Sequence, residues 1–175
     1  MTTDQKGAIA ETAIVHAATK LGIGVLKPLT EGRRYDLAFD LGPRLLRVQC
    51  KWAVYRVGVI AVRCSTCRRT ADGLLHRTYA ADEVDAIAGY CPSTDRCYFL
   101  PGDLVDGRRE LSPRVEATRN GQQFGVRWAH DFEFTRLDWE RLGAIAQLGE
   151  RLPGRQEVAG SNPAGSIEHR LRPTG

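Results

Sequence analysis

Hydrophobic residues near the N-terminus recur with the spacing of an α-helix. Between Thr3 and Leu21, alanine, isoleucine and valine cover one arc of a helical wheel, and the opposite arc is polar. Thr3 or Asp4 can cap this helix, and Gly22 can end it. Glu11 breaks the pattern because it falls inside the apolar arc. A carboxylate turned toward a core is costly unless it meets a cation, a donor or a metal. Glu11 is therefore either a functional acid or one that reaches water or a lysine at the helix edge.

Segments rich in valine, leucine, isoleucine and aromatic residues follow this helix and predict strands. The first four cover residues 24–29, 35–41, 45–52 and 57–63, with glycine, proline and arginine turns between them. The second and third should pair as a hairpin through the turn at 42–44. This succession predicts an α/β fold in which a small mixed sheet has helices on its faces.

The patterns beyond residue 63 are shorter, and the arginine content of the chain rises there. The predicted elements are a loop at 64–77, a helix at 82–87 and strands at 88–91, 98–100, 112–117 and 124–128. No internal repeat is visible.

Polar side chains line one face of the predicted hairpin. Because side chains alternate along a strand, Arg47, Gln49 and Lys51 share one face of the third strand. A solvated face of an antiparallel sheet is the ordinary explanation for such a row. Asp36, near the start of the preceding strand, can approach Gln49 and Lys51 across the hairpin. Asp40 shares its face, which leaves open that both aspartates simply point outward.

The composition excludes several classes of protein. Of 175 residues, 42% are hydrophobic and 26% are charged, which is typical of a globular domain and not of a disordered or fibrous chain. No apolar stretch approaches the length of a membrane span, and the N-terminus lacks the pattern of a secretory signal. We therefore expect a cytoplasmic protein with no membrane partner. The net charge of +4 permits a polyanionic partner.

Arginine clusters provide candidate contacts to phosphate groups. Two clusters flank predicted strands, so they could follow a nucleic-acid backbone or form ordinary solvated loops. The polar run at 118–123 could touch base edges in a groove or form a simple turn. The candidate nucleic-acid contacts are Arg33, Arg34, Arg68, Arg69, Arg77 and Asn120.

The five cysteines exclude a complete set of disulfides, and a cytosolic chain would keep its thiols reduced. Cys64 and Cys67 form a C-x₂-C pair that Cys91 and Cys97 could complete as a zinc site. Reduced, partly buried thiols are the alternative.

The C-terminal segment differs in character from the rest. Residues 143–175 are rich in glycine, proline and serine and contain no aromatic residue, which predicts a disordered tail outside a domain of residues 1–142. Back-translated, residues 144–151 and 160–164 resemble the D-arm and T-arm of a bacterial transfer-RNA gene. A short amphipathic helix at 144–152 is the alternative.

Glu11, Asp36, Gln49 and Lys51 together resemble the motif of the PD-(D/E)XK nuclease superfamily. That motif is an aspartate, a variable interval, an acid, any residue and a lysine, often with a glutamate from the first helix. A glutamine in the second acidic position resembles its branch of small bacterial homing endonucleases associated with transfer-RNA-gene introns. The stretches CKWA, VRCS, YAADEVDAIAGYCPSTDRCYFLP, TRNGQ and WAHDFEF are also similar to that branch.

The resemblance implies a restriction-endonuclease-like core of order α-β-β-β-α-β and metal-dependent cleavage of double-stranded DNA. Mg²⁺, with Mn²⁺ as a possible substitute, would be held by Asp36, Gln49 and Glu11. Lys51 would orient the attacking water or stabilise the phosphate in the transition state. Glutamine in place of an acid removes a negative charge, so cation affinity should be weaker.

Two other functions remain open at this point. The first is a Holliday-junction resolvase or repair nuclease of the same superfamily, which would share the four site residues. The second is a DNA-binding protein in which glutamine marks a lost active site. A double-strand break implies a homo-oligomer, either a dimer or a tetramer, and a DNA substrate implies association with the nucleoid.

Overall fold

The computed structural model describes residues 1–30, 32–71, 73–118 and 121–149. The helices are α1 (Thr3–Lys20), α2 (Gly102–Val105) and α3 (Trp139–Gly149). The strands are β1 (Gly24–Leu26), β2 (Leu37–Asp40), β3 (Leu45–Trp52), β4 (Val54–Arg56), β5 (Val59–Arg63), β6 (Ser65–Thr70), β7 (Gly73–Thr78), β8 (Ala86–Cys91), β9 (Arg96–Pro101) and β10 (Glu110–Leu111). Short 3-10 turns lie at Ala129–Phe132 and Phe134–Arg136.

The first helix forms where its hydrophobic pattern predicts it, with its cap one residue earlier than expected. The Thr2 hydroxyl accepts from the Gln5 N–H at 3.2 Å, and the Gln5 side chain accepts from the Thr2 N–H at 2.9 Å. This reciprocal pair satisfies two N–H groups that the helix itself cannot bond. One face of α1 is buried at Ala10, Ile14 and Ala18 and rests on the sheet.

A mixed sheet of five strands forms the centre of the molecule, in the order β1-β2-β3-β8-β9. The β3–β8 pair is parallel and the other pairs are antiparallel. The predicted hairpin of β2 and β3 is confirmed, and Gly42 at its turn has a φ of 83°, which favours glycine. The α/β fold with a small mixed sheet is confirmed.

Each face of the central sheet is covered by a different layer. On one face, α1 packs around Phe39, Phe99 and Phe134. On the other, Ile60 and Val62 belong to a second core beneath the smaller sheet β10-β5-β4. The central strands are therefore buried on both faces, which is why β8 is a continuous run of small and apolar residues.

The predicted loop at 64–77 is wrong. Strands β6 and β7 pair antiparallel from Ser65 opposite Thr78 to Thr70 opposite Gly73, and we call this two-stranded element the ribbon. Most of its described side chains are exposed, so it has no buried apolar face to produce the alternation by which strands are recognised in a sequence.

The predicted helix at 82–87 is also wrong. Residues 81–83 form a turn, and β8 begins at Ala86 opposite Val48 of β3. Asp85 fixes this start, since its N–H donates to the Arg47 carbonyl at 2.9 Å and its carboxylate accepts from the Arg47 N–H at 2.8 Å. Pairing with a distant strand thus overrides the local helical spacing. Among the described residues between β3 and the parallel β8, the chain forms strands and a turn but no helix, so the order α-β-β-β-α-β is wrong at its second helix.

Smaller departures follow from tight turns. Val57 and Gly58 have positive φ values of 46° and 73° and form the turn between β4 and β5, so the strand predicted at 57–63 begins at Val59. The strands predicted at 112–117 and 124–128 are wrong. These segments meet in an isolated bridge between Arg114 and Trp128 and do not form a pair of strands.

Helix α3 crosses the predicted domain boundary at residue 142. Trp139 anchors its start, with its ring 5.0 Å from that of Phe99 and its indole N–H donating to the Phe134 carbonyl at 2.9 Å. Most of the predicted tail, including the transfer-RNA-like segment at 160–164, lies outside the described residues, and the division of the chain at 142 stays a prediction. In the described part of the chain, no helix is long and apolar enough to cross a membrane.

Candidate active site

The candidate site lies where β3 continues past the beginning of β2. The pairing of these strands starts at Leu37 opposite Val48, so residues 49–52 of β3 extend beyond the β2 ladder. On that side the N–H of Cys50 needs another acceptor. The carboxylate of Asp36 supplies it, with Oδ2 2.8 Å from the Cys50 nitrogen. The strand offset therefore holds an acid at the open end of the ladder.

Gln49 contacts the same carboxylate. Its side chain is 8% exposed and donates through Nε2 to Asp36 Oδ2 and, at 3.3 Å, to the Cys50 carbonyl. The Asp36 N–H donates to the Val48 carbonyl at 3.0 Å, so the backbone also fixes the aspartate. The predicted approach of Asp36 to Gln49 across the hairpin is confirmed. Asp40, by contrast, is exposed and accepts from the N–H of Gly42 in the turn.

Lys51 lies two residues beyond Gln49 and therefore on the same face of β3. Its Nζ donates to the hydroxyl of Tyr79 at 2.9 Å and lies 5.1 Å from the centre of the Tyr79 ring. Its partner in register on β8 is Gly89, where a side chain would meet Val62 of β5 at 3.1 Å. The lysine thus lies between the central sheet and the layer that covers it.

Glu11 reaches the site from α1. Its Oε1 lies 2.5 Å from Nζ of Lys27, which follows β1, and its side chain is 27% exposed. In the structure Glu11 therefore pairs with a lysine at the edge of the helix, which was one of the two alternatives for this residue. Its negative charge is nevertheless felt at Asp36, where it raises the pKa of the carboxyl. The two carboxylates are electrostatic neighbours.

Comparison with known proteins assigns the chain to a family. The profile described as PD-(D/E)XK endonuclease matches residues 1–135. The chain belongs to the PD-(D/E)XK endonuclease family. Among solved structures it is similar to the bacterial homing endonuclease I-Ssp6803I, with 28% identity and a TM-score of 0.64 over 86% of this chain and 97% of that one. No curated protein matches the chain. The predicted family and the restriction-endonuclease-like fold are thus confirmed, and the chain is a nuclease.

The electrostatics of this endonuclease site are dominated by burial. Removal from water raises the pKa of the Asp36 carboxyl, and the hydrogen bond from Cys50 and the charge of Lys51 offset part of this effect. Burial also lowers the pKa of Lys51, partly offset by the charge of Asp36. Both shifts have the same cause, since an ionised group is less stable in a medium that solvates it poorly. A cation placed beside Asp36 would relieve the cost of its charge.

The residues at this site fit a hard divalent cation. Asp36 and Glu11 are neighbouring carboxylates and Gln49 carries an amide oxygen, and oxygen donors of these kinds are the ligands that Mg²⁺ prefers. Among the described residues, no group of three or more histidine, cysteine, aspartate or glutamate side chains could hold a metal. Gln49 is outside the residue types of such a group, and its Nε2 faces Asp36 in the structure.

The zinc alternative is wrong within the described part of the chain, because its cysteines do not form a metal-holding group. Cys64, Cys91 and Cys97 are buried, Cys67 on the ribbon is exposed, and all are free thiols. Burial raises the pKa of Cys64 to about 11 and that of Cys97 to about 12. Cys64 and Cys97 are therefore free thiols in surroundings that solvate a thiolate poorly.

Two of the predicted DNA-contacting arginines make contacts within the protein. Arg34 lies over the Tyr79 ring, with Cζ 4.3 Å from its centre, and Nη2 is 3.1 Å from Glu83. Arg77 pairs with the other oxygen of the same glutamate. Arg34 is therefore part of the wall of the site, while Arg77 keeps 62% of its side chain exposed beside the ribbon.

The remaining candidates differ in accessibility. Arg33 and Arg69 are exposed, and Arg69 belongs to the ribbon. The side chain of Arg68 and the residue Asn120 lie outside the described part of the chain. Their contacts with nucleic acid stay predictions.

Two further residues touch the site, Tyr79 and Lys27, and the sequence pattern predicts neither of them. Tyr79 directly follows the ribbon, so the error that made 64–77 a loop also concealed its place at the end of a strand. A lysine after a strand, here followed by Pro28, carries no signal of its own. Its partner is determined only when β1 packs beside α1.

Proposed function

We propose that this endonuclease hydrolyses phosphodiester bonds in double-stranded DNA with the help of a divalent cation, Mg²⁺ or Mn²⁺. The observation that carries this proposal is the contact of Asp36 with Gln49 at the open end of β3, with Lys51 on the same face. A desolvated carboxylate, an amide oxygen and an ammonium group provide what phosphodiester hydrolysis needs: donors for a cation and positive charge for an oxygen-rich transition state.

Each side chain has a separate role in this proposal. Asp36 and Glu11 would each give a carboxylate oxygen to the cation, and Gln49 would rotate its amide to give its oxygen. The bound cation would lower the pKa of a water molecule and neutralise charge on the phosphate. Lys51 would donate to the attacking water or to a non-bridging phosphate oxygen, for which a compact ammonium is well suited.

Glutamine at position 49 has a consequence for cation binding. The site carries one negative charge fewer than one with an acid at that position, so the protein alone should bind the cation weakly. A phosphate of the DNA would then supply part of the missing negative charge. Cation and DNA should therefore each strengthen the binding of the other.

The ribbon and its neighbouring arginines are the proposed DNA-binding surface. A two-stranded β-ribbon fits the major groove of B-form DNA, and Arg69, Arg77 and Arg33 are exposed in positions where phosphate contacts are possible. The similarity to a bacterial homing endonuclease supports site-selective cleavage of a duplex. Because one site cuts one strand at a time, a double-strand break requires two copies of the chain, in a dimer or a tetramer.

The test is cleavage of a library of randomised duplexes and, separately, of a four-way DNA junction, each with Mg²⁺, Mn²⁺ or EDTA. We expect one recurrent duplex sequence to be cut with either metal and none in EDTA. Preferential cutting of the junction would favour a resolvase. Salt-sensitive binding without any cleavage would indicate an inactive DNA-binding protein.

Three variants test the assigned roles on the selected duplex. Lys51→Ala and Asp36→Ala should each slow nicking by about a hundredfold or more while duplex affinity survives. Asp40→Ala is the matched control, because this exposed carboxylate lies at the opposite end of β2 from Asp36 and accepts a hydrogen bond from the Gly42 N–H in the turn. Normal cutting by either site variant would contradict its role.

A further inference from the structure

Tyr79 lies at the junction of the ribbon and the candidate site. It directly follows β7, its side chain is 1% exposed, and its hydroxyl is 2.9 Å from Nζ of Lys51. Its backbone joins it to two other segments, since its N–H donates to the Cys64 carbonyl at 3.4 Å and its carbonyl accepts from the Gly107 N–H at 3.1 Å. The hydroxyl is therefore held by a fixed backbone and a packed ring.

Arg34 fixes the ring from another direction. Its guanidinium stacks 4.3 Å from the ring centre, and Nη2 donates to the Thr78 carbonyl at 2.9 Å and to Glu83 at 3.1 Å. A guanidinium with two oxygen partners has little freedom to move, so it holds the aromatic plane against which it packs. Lys51 and Arg34 thus contact one tyrosine ring, and the tyrosine cannot move without disturbing both contacts.

The chemistry of the partner matters for a lysine that must act on phosphate. The flexible four-carbon stem of lysine does not by itself fix its ammonium group. A carboxylate partner would fix the ammonium but neutralise its charge. A neutral hydroxyl fixes one of its three N–H donors, leaves the positive charge, and leaves the other donors for water or phosphate.

Resting on the function proposed above, we infer that Tyr79 is a positioning residue that holds the Lys51 ammonium group on the face of the sheet where Asp36 lies. The tyrosine touches neither DNA nor cation in this role. It acts by restricting Lys51, and Arg34 supports it by fixing the ring.

The test compares Tyr79→Phe with the wild type in single-turnover cleavage of the duplex selected above. The variant keeps the ring and its stacking on Arg34 and loses only the hydroxyl. We expect the cleavage rate to fall by about tenfold or more, the size expected for a lost hydrogen bond to a charged group. The dissociation constant for the same duplex in EDTA should stay within about twofold, since the hydroxyl faces Lys51 and not solvent.

Tyr98→Phe is the matched control. Tyr98 is equally buried, at 1% exposure, and belongs to the same core. Its hydroxyl lies 3.1 Å from that of Thr94, and none of the hydrogen bonds described joins it to Lys51. It should lose stability but keep the wild-type cleavage rate. Cleavage by Tyr79→Phe within about twofold of an active wild type, or equal losses of rate in both variants, would overturn the inference alone. A wild type that cuts no DNA would overturn the proposed function and the inference with it.

Discussion

Gln49→Glu tests the proposed cation site through protein stability, without any DNA. The amide of Gln49 is nearly buried and donates to Asp36. The substitution replaces this donor by a second carboxylate against the first. Without a cation the two acids repel each other or share a proton, and with a cation between them they become a stronger ligand pair than the natural one.

The expected magnitude follows from the lost contact. A hydrogen bond to a charged group contributes about 1.5–3 kcal/mol, and proton sharing limits the additional repulsion. We therefore expect a destabilisation of about 3 kcal/mol in EDTA at pH 8, which for a domain of this size is a fall in Tm of about 6–12 °C. A divalent cation at a hundred times its dissociation constant would restore about 2.7 kcal/mol.

The sign of the pH dependence is also determined. Burial already raises the pKa of Asp36 above 3.8, and a neighbouring acid would raise it further. A group whose pKa is raised on folding stabilises the protein at low pH, and this contribution is lost as the pH rises through the folded value. The loss of unfolding free energy caused by Gln49→Glu in EDTA should therefore be larger at pH 8 than at pH 5.

The assay is thermal unfolding of wild type and variant in EDTA and in Mg²⁺ or Mn²⁺ at both pH values. Gln5→Glu is the matched control, since it makes the same chemical change in the exposed capping pair of α1, where glutamate is equally acceptable. A variant as stable as the wild type in EDTA, or one that gains no more stability from metal than Gln5→Glu does, would refute the assignment of Gln49 to a cation site.

Three further predictions concern charges around the site. Lys27→Met frees Glu11 from its exposed ion pair and should lower the Mn²⁺ concentration for half-maximal cleavage by about twofold. An increase in that concentration would contradict the prediction and would show that Lys27 assists cation binding. Burial alone would raise the pKa of Asp85, but hydrogen bonds from Arg47 hold it below 3.8. Asp85→Asn should therefore lower the free energy of unfolding, measured in urea at pH 7, by about 1–2 kcal/mol. This difference should shrink as the pH falls through the folded pKa of Asp85, and a pH-independent difference would contradict the prediction. Arg69→Ala should weaken duplex binding and reduce the slope of log affinity against log salt by about one, and an unchanged slope would place the ribbon away from DNA.

The sequence determined the elements whose signals are local. The apolar arc of α1 and the hairpin of β2 and β3 are each encoded within a few turns or one short loop, and both form as predicted. The spacing of Glu11, Asp36, Gln49 and Lys51 also carried the family resemblance, because a strand period of two puts Gln49 and Lys51 on one face whatever surrounds them.

Tertiary structure decided the elements whose stability comes from distant partners. The ribbon has no buried apolar face, so its sequence resembles a loop. Residues 82–87 have helical spacing, but they form part of a turn and then the start of β8, because β3 pairs with β8 from Ala86 onward. The same reason applies to the site. Tyr79 contacts Lys51 and Lys27 contacts Glu11 only after packing joins segments that are 28 and 16 residues apart, and no local pattern records which side chains will meet across such a separation.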